Sequence, residues 1–330
     1  MDLTTRYMGL DLENPLVASA SPLNADVEYL RRLEDAGAAA VVLPSLFEEQ
    51  IEAEAARYDH LTSVSAESAP EARSYCAEPA GYSVGPHAYL DLVRRASTAL
   101  DIPVIASLNG TTDEGWLSYA SAIEAAGAKG LELNVYFIPA DLSLSGAEVE
   151  QRYLDIVRRV RATVSIPIAV KLNPYFSAVG NMARALEGAG ADALVLFNRF
   201  YQPDIDLGRL ELLLDLQLSH PNEIRLPLLW IGLLSGRVQA SLAATTGVTT
   251  ADEVIKYLLV GADVVMTTSA LLRHGATHMT LLLRDLEAWL SARQFSSVRQ
   301  MRGLMSRQRL PEAPAFERAN YIKIVQSYHR

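Results

Sequence analysis

The chain has 330 residues, half of them hydrophobic and 21% charged, which suits a large buried core and not a disordered chain. A formal net charge of −10 with no long basic run argues against a nucleic-acid partner or an anionic membrane surface, since both select clustered lysine and arginine. One cysteine, Cys76, cannot form an internal disulfide and points to a reducing compartment. With a polar, acidic N-terminus and no uncharged apolar run of about 18 residues, the sequence reads as cytoplasmic, with no membrane span.

In chain order, NPLVASA (14–20) predicts a first strand at 15–20, and AGAAAVVL (36–43) a second at 39–44. In the latter a glycine closes a helical pattern and an apolar run follows it. That is how a left-handed helix end and a strand buried on both faces look in sequence. A long connection at 45–90 carries an acidic helical pattern, FEEQIEAEAARYDH (47–60), and a Ser/Pro/Glu-rich stretch. DIPVIAS (101–107) predicts a third strand at 103–108, GWLSYASAIEAA (115–126) a helix, and AGAKGLEL (126–133) a fourth strand at 130–134. The next helix falls at 147–162, the fifth strand at 166–172 in SIPIAVK, and the sixth at 192–197 in AGADALVL. A second long connection spans 198–226. Strands at 241–246 and 262–267 then flank a helix at 250–260, and a helical tail occupies about 279–330.

Eight such units predict a (β/α)8 TIM barrel with long loops after strands 2 and 6, as one domain over 1–330. No GxGxxG follows the first strand, so a doubly wound dinucleotide-binding sheet is disfavoured. No P-loop appears either.

In a barrel of this kind the active site lies at the C-terminal strand ends. Those ends supply Ala18 and Ser19, Pro44 and Ser45, Asn109, Asn134, Lys171, Asn198, Thr246 and Gly247, and Thr268 and Ser269. Lys171 closes an otherwise apolar strand, where its charge is costly unless something anionic or electron-rich meets it. Its alternative is to lay its stem along the barrel and reach solvent. The three asparagines read as ligand contacts or as loop-capping amides. TTGV (245–248) and MTTSAL (266–271) stand where such barrels bind phosphate through backbone N–H groups and small hydroxyls. Arg199 and Arg237 read equally as surface cations or as counter-ions for an acidic ligand. His274 and His278 have the spacing of helical metal ligands but no acidic partner, so no metal site is expected.

These segments resemble a known family, the soluble, FMN-dependent dihydroorotate dehydrogenases. NPLVASA is similar to their first-strand motif, ELN (132–134) to the start of their active-site strand, and AVKLNPYF (169–176) to their flavin-contacting lysine segment. ATTGV (244–248) and TTSAL (267–271) resemble their two phosphate turns, and FSSVRQMRGLMS (295–306) their C-terminal tail. The resemblance implies an FMN-dependent oxidoreductase acting on CH–CH donors; the family reaction is dihydroorotate to orotate in pyrimidine biosynthesis. It implies that Lys171 meets the pyrimidine edge of the flavin. Ala18, Ser19, Ser45, Asn109, Asn134 and Asn198 would line the cofactor, and Thr246, Gly247, Thr268 and Ser269 would hold its phosphate. Asn134, Asn198, Phe137 and Arg199 would face a small-molecule substrate. A redox partner protein and a homodimer are compatible with it.

The departures fall at the chemistry. The family continues Asn-Leu-Ser-Cys-Pro-Asn and uses the cysteine as base; this chain has Asn134-Val135-Tyr136-Phe137-Ile138-Pro139. Phenylalanine cannot accept a proton. Tyr136 is the nearest alternative, as a proton donor. Pro44 replaces a lysine, AGYSVGPHAYL (80–90) replaces an asparagine-rich loop, and DLQLSHP (215–221) lacks a paired glycine. The expectation is a retained cofactor shell and an altered substrate shell. Two other readings stay open: a flavin-free lyase using Lys171 as a Schiff-base lysine, and a non-catalytic partner or electron-relay barrel.

Overall fold

The computed structural model describes residues 1–51, 86–110, 114–199, 203–213 and 216–310, with residue 326. Cys76, most of the acidic pattern at 47–60, residues 80–85 of the altered loop, Asp215 and most of the tail beyond 310 lie outside the described residues.

An N-terminal hairpin, β1 (Thr5–Tyr7) and β2 (Leu10–Leu12), precedes the first barrel strand, β3 (Leu16–Ala18). The next barrel strands are β4 (Ala40–Phe47), β5 (Val104–Gly110), β6 (Gly130–Val135), β7 (Ile168–Leu172) and β8 (Ala193–Leu196). A small antiparallel pair, β9 (Asp204–Asp206) and β10 (Glu211–Leu213), stands in the second long connection. Then β11 (Ser241–Ala244) and β12 (Val264–Thr267) complete the set. The eight parallel strands close in the order β3-β4-β5-β6-β7-β8-β11-β12, a (β/α)8 barrel. Each predicted barrel strand is present. The β9–β10 hairpin was not foreseen: its Ile205, Leu207, Leu210 and Leu212 are exposed, and its sequence lacks strand alternation.

The repeated glycine phrase does what its chemistry suggests. Gly37, Gly127, Gly190 and Gly261 follow helices with φ of +97°, +104°, +108° and +113°, a conformation that costs other residues a steric penalty. A second device rides on the same phrase and escaped the sequence reading. Three residues before the glycine, Glu34, Glu124 and Glu187 reach across to the loop entering a neighbouring strand. Glu34 accepts from the amides of Asp101 and Ile102, at 2.7 and 3.0 Å. Glu124 accepts from Ser165 and Ile166 amides, and Glu187 from those of Gln239 and Ala240. Two residues after the glycine, Asp192 accepts from the Ile168 amide of β7 and Asp263 from the Leu242 amide of β11, at 2.8 and 2.7 Å. The phrase therefore ends a helix and satisfies backbone donors of a neighbouring strand and its entry loop together.

Strand side chains alternate between two cores. Outward residues such as Leu131, Leu133, Val170 and Leu196 pack against the helices. Inward residues, among them Val17, Val42, Ile105, Ala169, Val195 and Met266, fill the barrel, and the N-terminal hairpin closes its floor with Tyr7 and Met8. Met8 donates its amide to Ser241 Oγ at 3.0 Å, and Thr5 Oγ1 donates to the Asp263 carbonyl at 2.8 Å. The hairpin thus seals the N-terminal ends of the barrel and leaves the opposite ends for the candidate site.

Buried tyrosines on three helices brace that opposite face. Tyr89 Oη donates to the Ser107 carbonyl at 3.1 Å and accepts from its amide at 2.8 Å. Tyr153 donates to the Val135 carbonyl at 2.9 Å, and Tyr257 donates to the Thr245 and Thr246 carbonyls at 3.2 and 2.8 Å. Among the described residues, no helix is long and apolar enough to cross a membrane and no group of three or more His, Cys, Asp or Glu could hold a metal ion.

Burial pushes Tyr153 up to about 12, opposed in part by a hydrogen bond from Asn173. The unfolded chain ionises its tyrosines near pH ~10, so this term is fully present below that and is lost as pH rises toward 12. The expected loss for Tyr153 is on the order of 3 kcal/mol across the window. Thermal unfolding at stepped pH is expected to show Tm falling steeply above pH ~10, and Tyr153→Phe to flatten that fall. An unchanged slope in the variant would contradict the assignment.

Candidate active site

The site is built from the pleat of β6 and β7. In Gly130–Val135 the polar residues are two apart, so Glu132 and Asn134 share the inward face while Leu131, Leu133 and Val135 pack outward. In β7, Lys171 points inward beside Asn134, its register partner. Its Nζ lies 3.1 Å from Glu132 Oε1 and 3.5 Å from Ser19 Oγ. The two charged side chains are 10% and 1% exposed, Lys171 and Glu132 respectively. Lys171 therefore does not reach out to solvent: a carboxylate inside the barrel meets it. The sequence reading passed over Glu132, although the alternation Leu-Glu-Leu-Asn-Val put it on the asparagine's face.

A cavity of about 200 Å³ opens over Lys171. Ser19, Lys171 and Asn198 line one part, and Thr246, Gly247, Thr268 and Ser269 another. One residue that the sequence gave no signal for, Ser219, joins the last four. Its Oγ donates to Ser269 Oγ at 2.9 Å and accepts from the Gly247 amide at 3.2 Å, tying the turn after β11 to the turn after β12. The first turn is strained: Thr246, a β-branched residue, has φ of +81°. It is held there by Thr246 Oγ1 donating to the Phe197 carbonyl at 3.1 Å and by the two bonds from Tyr257. Burial first, then the charges of Glu253 and Glu223, push the Tyr257 phenol up, so it stays a neutral donor. A neighbouring cavity of about 230 Å³ shares Phe197, Asn198, Arg199 and Thr246 and adds Tyr175, Glu223 and Leu226.

The remaining sequence candidates fall as follows. Asn198 Nδ2 donates to Asn134 Oδ1 at 2.9 Å, so two of the three asparagines form one unit, and Asn109 is buried beside Asn134 in register. Ser45 and Ser107 hydroxyls lie 2.8 Å apart. Pro44 sits where β4 slips register against β5, between Val42 and Ser45, a place that tolerates a strand proline. Ala18 is buried with its side chain in the outer core. Arg199 is paired with Glu223 at 3.1 Å and also donates to the Gln217 carbonyl. Arg237 donates to the Leu233 carbonyl at 3.3 Å and lines neither cavity. Tyr136 and Phe137 follow the end of β6, are half-buried and line neither cavity; the Arg152 guanidinium lies 4.1 Å from the Phe137 ring centre. His274 and His278 rings pack 4.9 Å apart, and His278 Nε2 is 2.7 Å from the Thr249 carbonyl.

No family model matches the chain. Curated relatives do. The dihydroorotate dehydrogenase B (NAD(+)) catalytic subunit of Methanothermobacter thermautotrophicus is 27% identical, over 92% of this chain and 98% of its own length. Its counterpart in Pyrococcus furiosus is 26% identical over 92% and 99%, and that of Thermoplasma acidophilum 24% over 93% and 99%. The chain is thus similar, over most of its length, to dihydroorotate dehydrogenase B catalytic subunits.

In this barrel, Gly247 is held by its surroundings. It has φ of +74°, and a Cβ there would stand 2.8 Å from the His220 carbonyl oxygen and 2.7 Å from Ile224 Cγ2. Gly247→Ala is expected to cost about 1–3 kcal/mol, read as a lower midpoint in denaturant unfolding. A midpoint equal to that of the parent protein would show that the turn is not constrained as described.

Proposed function

We propose that the protein is an FMN-dependent oxidoreductase working at the C-terminal mouth of the barrel. The observation that carries this reading is one cavity with a buried ammonium, Lys171, in one wall and two turns of small residues, Thr246-Gly247 and Thr268-Ser269, in another. The residues fit the cofactor: Gly247 leaves no room for a side chain, so backbone and hydroxyls face a phosphate, and Lys171 offers positive charge to the flavin ring. When bound, FMN supplies the two-electron acceptor chemistry. Lys171 would support negative charge at its pyrimidine edge, with Ser19, Ser45, Asn109 and Asn134 around the ring. The Asn198–Asn134 amide pair would orient a small-molecule substrate, and Arg199, already engaged by Glu223, would shape the side cavity.

The substrate follows less directly. The relatives are named for dihydroorotate and NAD(+), as catalytic subunits; here a partner protein or a small-molecule acceptor would take the electrons. Phe137 stands where the family has its base and offers no proton acceptor, and removal of a general base typically costs about 10²–10⁴ in rate. We therefore assign the class, oxidation of a CH–CH donor, and not dihydroorotate turnover at a dehydrogenase's rate. A cytoplasmic location, association as a homodimer and a link to pyrimidine biosynthesis belong to the same proposal.

Purified protein is expected to show flavin absorbance bands and to release FMN on heating. Anaerobic reduction of that flavin by dihydroorotate is expected to be about 10²–10⁴-fold slower than in a cysteine-bearing relative. Protein that is colourless and takes up no added FMN would end this reading; fast reduction by dihydroorotate would overturn the part that rests on Phe137.

A further inference from the structure

Resting on the FMN reading, we infer that Glu132, the counter-ion of Lys171, offsets the positive field at the cofactor and holds its midpoint potential down.

Glu132 is enclosed. One oxygen, Oε1, meets Lys171 Nζ at 3.1 Å; the other, Oε2, is buried with no hydrogen-bond partner among the described residues. The Tyr7 hydroxyl, on the floor-sealing hairpin, is also buried without a partner. Burial first, then the charge of Glu132, pushes the Tyr7 phenol up, which keeps it neutral. Around them the barrel is lined by Val17, Val42, Ile105 and Ala169.

Stability does not explain such a pair. Taking two charges out of water costs about as much as their attraction returns, and apolar replacements of similar volume are often neutral or stabilising. The other inward positions around the pair are mostly valine, isoleucine, alanine and methionine. A glutamate beneath a lysine at the cavity wall makes sense as electrostatics directed at what the cavity holds.

The sign follows from charge. Reduction places added negative charge on the cofactor, and a bare ammonium at its pyrimidine edge would favour that strongly. Glu132 offsets the ammonium from the side away from the cavity. Lys171 keeps its place and its hydrogen bonds, but the field reaching the cofactor is weaker. Glutamine at this position preserves shape and one acceptor for Lys171 while removing the negative charge.

The test is a spectroelectrochemical titration of the FMN-loaded protein, its Glu132→Gln variant and a Lys171→Gln variant. In Glu132→Gln the ratio of reduced to oxidised cofactor affinity is expected to rise about tenfold, which for a two-electron couple is a potential about 30 mV higher. Lys171→Gln is expected to move the other way. Should the bare ammonium prevent Glu132→Gln from folding, the neutral pair E132Q/K171Q carries no uncompensated charge, and its potential is expected above that of Lys171→Gln alone. A potential in Glu132→Gln equal to or below that of the parent, or no rise from Lys171→Gln to the neutral pair, overturns the inference while leaving FMN binding intact. Failure of the parent protein itself to bind FMN instead removes the cofactor reading and this inference with it.

Discussion

An ion pair sealed inside a closed barrel organises this molecule. Lys171 and Glu132 stand on adjacent parallel strands with nearly all of their surface out of water. Such a pair persists only where the surrounding scaffold holds both partners, because either charge alone would be strongly destabilising. The scaffold here does so from both ends. The N-terminal hairpin excludes water from below, and a cavity opens above Lys171.

Much of the scaffold was legible because its information is local. A glycine that ends a helix, a short apolar run, and a polar residue where the run stops are all read within about ten residues. That is why eight strands and the ring of candidates at their ends could be placed, and why Lys171, Asn134, Thr246 and Gly247 were singled out. Glu132 was half legible. Its period-two neighbours announced an inward face, but the family motif drew attention to Asn134 alone.

The rest was not legible because it depends on contacts between segments. Ser219 gained its role only when the second long connection folded back to bridge the turns after β11 and β12. Tyr89, Tyr153 and Tyr257 look in sequence like ordinary core aromatics on amphipathic helices. Only their hydroxyl positions reveal that they fasten the ends of β5, β6 and β11. Phe137 shows the opposite difficulty. Its place in the motif suggested a wall of the site, but alternation ends with β6 at Val135, and the ring packs near Arg152 instead.

The proposed FMN site is the mouth over Lys171, with the two turns of small residues beside it. Backbone amide hydrogen exchange with and without FMN tests this most directly, since it reports location without requiring a substrate. Slower exchange is expected at 244–248, 267–271 and around 171 when FMN is present, with little change in the hairpin at 5–12. Protection confined to the floor of the barrel, or none at the two turns at saturating FMN, would contradict it.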